Sequence, residues 1–97
     1  MTEIHYAERF SAAVERIFEF LAESDPERAA RHVEIILDGI GLLARHPLIG
    51  RPARAPLRES VVGRGTLCYV VLYQHDKAHD RVIVLTVRHA SQAGYCD

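Results

Sequence analysis

No stretch of eighteen apolar residues occurs in this 97-residue chain, which argues against a membrane-spanning helix. Acids stand early, at Glu3 and Glu8, and no basic segment precedes an apolar one there, so no export leader is expected. Cysteine is scarce. Cys68 falls inside an apolar run and Cys96 in the tail, which makes neither a disulfide framework nor a metal motif, and Cys68 reads as a small buried hydrophobe. No metal and no cofactor is expected. Lysine is almost missing, one against eleven arginines, and arginine is the cation suited to bidentate carboxylate or phosphate contacts. These features together predict one cytoplasmic, bacterial-type domain spanning residues 1–97, with no membrane partner.

What is present centres on two apolar runs, residues 67–73 and 81–89. Both are short, rich in β-branched and aromatic residues, and free of glycine and proline, which favours strands over helices. Neither alternates apolar with polar, so each is expected to be covered on both faces, as the middle of a sheet. The connection, residues 74–80, reads as the loose tip of a hairpin. Tyr69 and Tyr73 share a face and are expected to pack in the core with their hydroxyls at its edge.

The rest supplies cover. Residues 3–6 form a short strand candidate with Ile4 and Tyr6 on one face and His5 on the other. From 7 to 23 the spacing turns helical, with a stripe of Phe10, Val14, Ile17 and Leu21 flanked by Ala13 and Phe20. Ser24 with Glu27 fits a capping box, while Asp25 with Pro26 fits a cap and first helical position; either begins a second helix. Its stripe is Ala29, Val33, Ile36, Ile40 and Leu43, widened by Ile35, Leu37 and Leu42, and it ends at His46-Pro47. Helices joined so tightly lie antiparallel. Residues 47–56 read as a loop, 57–62 as a strand and 63–65 as a turn. The order β-α-α-β-β-β is an α+β fold, a helical hairpin packed on a small, mainly antiparallel sheet.

Charge is unevenly spread. Residues 1–44 hold nine acids against four arginines, net −5; residues 45–97 hold eight bases against four acids, net +4. The basic density lies in 45–64, and Arg51, Arg54, Arg58 and Arg64 are candidates for contact with an acidic partner or target, although a solvated loop in an arginine-rich chain accounts for them equally. His32 and His46 read as exposed helical residues. His75, Asp76, His79 and Asp80 sit together, but without a tetrahedral ligand set they read as a solvated loop.

The element order, Asp25-Pro26 with Ala29-Ala30, His46-Pro47-Leu48-Ile49-Gly50-Arg51-Pro52, Leu57-Arg58-Glu59, Tyr69-Val70-Val71-Leu72-Tyr73 and Val87-Arg88-His89 together resemble the RelE/ParE toxin superfamily, nearest its ParE-like, plasmid-stabilisation branch. The resemblance implies the toxin of a type II toxin–antitoxin system, neutralised by a cognate antitoxin encoded beside it, in a hetero-oligomer. ParE-like members are associated with inhibition of DNA gyrase; RelE-like members cut mRNA in the ribosome. One departure separates the branches. RelE-type nucleases carry an arginine three residues before the tyrosine that matches Tyr73, and here that position is Val70. RNA cleavage needs a base, an acid and cations for the developing charge. The candidates are His89 or Tyr95 for proton transfer and Arg58, Arg64 and Arg88 for charge, with Arg58 expected to face the strand end that holds Arg88 and His89. A chain that binds its antitoxin but has lost toxicity is the third possibility.

Overall fold

The computed structural model describes residues 2–90. Strand β1 (Glu3–Tyr6) leads into helices α1 (Glu8–Ala22) and α2 (Pro26–Gly41), followed by β2 (Arg51–Pro52), β3 (Leu57–Val62), β4 (Tyr69–Asp76) and β5 (Arg81–His89). The five strands form one sheet in the order β1-β5-β4-β3-β2. β1 runs parallel to β5, and every other neighbour is antiparallel. The expected α+β architecture is present, with the two apolar runs as its central pair. The details that differ lie at the ends of elements. Helix α2 stops at Gly41 and passes into a 3₁₀ turn at Leu42–Ala44 instead of running to His46-Pro47, and β4 starts at Tyr69, not Leu67, which closes a 3₁₀ turn begun at Gly65. Arg51–Pro52, read as loop, adds a two-residue strand, and β4 continues through Gln74–Asp76, shortening the hairpin tip to a single 3₁₀ turn at Lys77–His79.

The start of α2 follows the second of the two capping readings. The Asp25 carboxylate accepts from the Arg28 amide at 3.2 Å, with Pro26 at the first helical position, where its missing N–H is not needed. The main core lies between the hairpin and one sheet face. Phe10 and Ala13 of α1, Ile36 and Ile40 of α2, and Leu43 just beyond it meet Tyr69, Val71, Tyr73, Val82, Val84 and Val87. The stripes are therefore narrower than the sequence suggests: Leu37 and Leu42 are exposed, and Phe20 is 74% exposed.

The missing alternation in the last strand has a cause that differs from the expected one. Between the pairs Leu72–Thr86 and Tyr73–Val84 the register slips by one, leaving Leu85 as an extra residue in β5. That bulge reverses the parity of the strand. Val82 and Val84 before it, and Val87 after it, all join the helix-side core, which strict alternation forbids. For β4 the double cover is real at its start: Val70 belongs to a second buried cluster with Cys68 and Ala90. Cys68 is buried as expected, but it is disulfide-bonded, so it is not a plain apolar filler.

Candidate functional site

Three arrangements of polar side chains arise from this frame. The first is a clasp between the loop after α2 and the sheet. The Tyr73 hydroxyl donates to the Pro47 carbonyl at 2.8 Å and accepts from the Gly50 amide at 2.9 Å. Arg58 donates to the Gly50 carbonyl at 2.7 Å and more weakly to that of Leu48. A Cβ on Gly50 would lie 2.6 Å from the Tyr73 oxygen, so this position requires glycine. Burial pushes the Tyr73 pKa up, against smaller opposing effects of the Gly50 amide and Arg58, and the phenol stays neutral as the clasp needs. Arg58 thus points at loop carbonyls. It pairs with Tyr73 in the sheet, whereas Arg88 and His89 pair with Val70 and Tyr69 at the other end of β4, so the expected grouping of Arg58 with them does not form.

The second lies on the sheet face away from the helices. The Glu59 carboxylate sits 3.7 Å from Arg51 and 3.8 Å from Arg88, with Glu59 only 14% exposed in its side chain. Two of the candidate cations are therefore drawn onto one acid. Arg54 and Arg64 are exposed and lie beyond opposite ends of β3, so the four arginines do not make one patch. Tyr95 lies outside the described residues. Between α2 and the outer edge of β3 runs a cleft of about 690 Å³ with Ile35, Leu42, Ile49 and Val61 on its walls. Here β2 pairs only with Arg58 and Glu59, so among the described residues the edge from Ser60 to Val62 has no strand beside it.

The third was missed by sequence reasoning, which placed His32 at the surface. His32 is 2% exposed. Its Nδ1 lies 2.6 Å from the Tyr69 hydroxyl, and the Tyr69 ring meets His32 on one side and His89 on the other, edge to face. The Tyr69 hydroxyl is therefore inside, not at the core edge. Burial, then Arg28, then His89 lower the His32 pKa, so the ring is neutral near pH 7. Burial likewise raises that of Tyr69, against the smaller pull of Arg28. His32 Nε2 is enclosed and has no hydrogen-bond partner among the described residues, a vacancy that costs about 1–3 kcal/mol. His32, Tyr69 and His89 line a cleft of about 750 Å³ between the connected end of the two helices and the open end of the β4–β5 pair, walled on the helical side by Ala13, Ile17, Phe20 and Leu21 and carrying Arg16, Arg28 and Arg88. The available signal was spacing: Arg16 is three residues from Ala13, and Arg28 and His32 are four apart, so all flank the apolar stripes.

The acids of residues 74–80 are taken up by neighbouring side chains. Asp76 accepts from Arg81 and from His79, each at 2.9 Å, and Asp80 accepts from the Thr2 hydroxyl at 2.9 Å. Partial desolvation of the Asp76 carboxyl is outweighed by these hydrogen bonds, and its pKa is lowered.

A family model described as "ParE toxin of type II toxin-antitoxin system, parDE" matches residues 4–94. Among solved structures, a chain of the chromosomal ParDE system from P. aeruginosa superposes with a TM-score of 0.76 at 17% identity, over 92% of this chain and 96% of that one. A chain of the RelBE2 toxin-antitoxin complex from Mycobacterium tuberculosis superposes with a TM-score of 0.58 at 28% identity, over 91% and 96%. No curated protein matches.

Proposed function

We propose a function from one premise: the chain belongs to the ParE toxin family of type II toxin–antitoxin systems. The reading is that it is a cytoplasmic, ParE-like toxin that binds and inhibits DNA gyrase, performs no chemistry of its own, and is silenced in a hetero-oligomer with a cognate antitoxin. Plasmid stabilisation is the matching biological role.

The observation that carries the binding mode is Glu59 between Arg51 and Arg88. A face that grips a scissile phosphate must present unneutralised cations to it. Here an acid holds two of them, Val70 fills the position where RelE-type nucleases carry arginine, and Arg58 is committed to the Gly50 carbonyl. These features favour protein recognition over ribosome-dependent mRNA cleavage.

The antitoxin reading draws on the apolar cleft beside the unpaired edge of β3, which suits an amphipathic segment adding main-chain hydrogen bonds. Amide hydrogen exchange of the complex with the protein encoded by the adjoining reading frame tests this. Residues 35–42 and 59–63 gain protection on binding; unchanged exchange there, with the complex formed, contradicts the placement.

A further inference from the structure

The cleft around His32 is distinct from the apolar groove at β3 and shares only Arg88 with the Arg51–Glu59–Arg88 face. Among the described residues its lining contains three arginines and two histidines and no acid. Arg88 is engaged by Glu59, whereas Arg16 and Arg28 make no ion pair among the described residues and are exposed at the rim. At the inner wall stands a histidine that is almost fully buried, with one ring nitrogen held by Tyr69 and the other without a partner among the described residues. When the Tyr69 hydroxyl donates to Nδ1, Nε2 carries the proton and is a donor to which no described residue offers an acceptor. Apolar side chains of α1 make up the remaining wall.

We propose that this cleft binds a single carboxylate carried on an apolar body, with Arg16 and Arg28 taking the oxygens in front of the neutral His32 ring, and that the antitoxin presents this carboxylate; the second half rests on the toxin–antitoxin reading above. Guanidinium groups pair with carboxylate and phosphate alike. The surroundings decide between them. The helices that frame the cleft belong to the segment of net charge −5, which repels a polyanion such as a nucleic acid backbone but admits one buried negative charge. The apolar wall favours a hydrophobic carrier over a free inorganic anion.

The probe is phenylacetate, titrated into the full-length chain at constant ionic strength while the imidazole carbon–proton signals are followed by NMR. The expected result is a saturable shift of the His32 signal, at least tenfold weaker for the neutral isostere phenylacetamide and for inorganic phosphate. The shift disappears in the Arg16→Gln, Arg28→Gln double variant, whose substituted positions are exposed and whose unfolding midpoint stays unchanged. Equal binding of the amide makes the cleft merely apolar, and tighter binding of phosphate makes it an oxyanion site of another kind; either overturns the proposal. For the source, Asp→Asn and Glu→Gln substitutions in the antitoxin are crossed with Arg28→Gln. One acid is expected to lose at least tenfold in affinity against the native chain and nothing further against the variant. If the antitoxin binds and no acid couples to Arg28, the proposal fails and the toxin reading stands. If phenylacetate binds as expected but no partner protein exists, the toxin reading fails and the cleft's preference for carboxylate survives without its proposed source.

Discussion

At Tyr73 one buried hydroxyl does two jobs, donating to Pro47 and accepting from Gly50. Tyr73→Phe leaves the Gly50 amide buried and unpaired. The expected loss of stability is about 1–3 kcal/mol by urea unfolding; a change below a few tenths would show that the clasp contributes nothing. His32 carries a second prediction. Its folded-state pKa lies below the ordinary imidazole value of 6.5, so the unfolded chain binds the extra proton first. Stability from this group is complete above pH 6.5 and is lost as pH falls through that value toward the folded pKa. His32→Gln should flatten the slope of stability against pH between 7.5 and 5 relative to the native chain; an unchanged slope contradicts the assignment. Asp76, whose pKa is lowered, acts in the other window, below its ordinary value of 3.8, where protonation removes its bonds to Arg81 and His79. Neither role of Tyr73 or His32 was legible in the sequence. Both depend on partners 23 to 37 residues away, which periodicity along the chain does not encode.

At the scale of elements, local chemistry did specify where the helices begin, whereas β2 was missed and β4 starts two residues into its apolar run. The two glycines of α2 show how packing then overrides propensity. A Cβ on Gly39 would lie 2.4 Å from a Val62 methyl carbon and 2.6 Å from its Cβ, whereas one on Gly41 meets nothing within 4 Å. Alanine favours helix over glycine by about 1 kcal/mol at either site. Gly41→Ala should therefore raise stability by up to about 1 kcal/mol. Gly39→Ala should lower it, because α2 must lift from β3 at a cost of about 1–3 kcal/mol. Thermal unfolding of both variants decides; equal and positive shifts would mean the helix does not rest on Val62. The bulge at Leu85 shows the opposite limit of sequence reading. A run of apolar residues covered on both faces and one whose parity flips midway look the same in sequence, and only the register separates them. Leu37, Leu42 and Phe20 extended the stripes on paper, yet a two-helix layer on one face of a small sheet has no second layer to cover them.

At the scale of the whole molecule, the acidic hairpin and the basic second half are brought onto one body without forming a continuous cationic surface. The sequence showed the excess of arginine between 45 and 64. It did not show that Arg58 would turn into a loop or that Glu59 would draw in Arg51 and Arg88, since these depend on which face each strand residue takes. Charge neutralised in this way suits a protein that acts through an interface. The most direct measurement is a supercoiling assay with purified gyrase and the isolated chain, run beside a ribosome-programmed mRNA cleavage assay with the same preparation. Inhibition of supercoiling that the antitoxin reverses, with mRNA left intact, is the predicted result; intact supercoiling together with cleaved mRNA would contradict it.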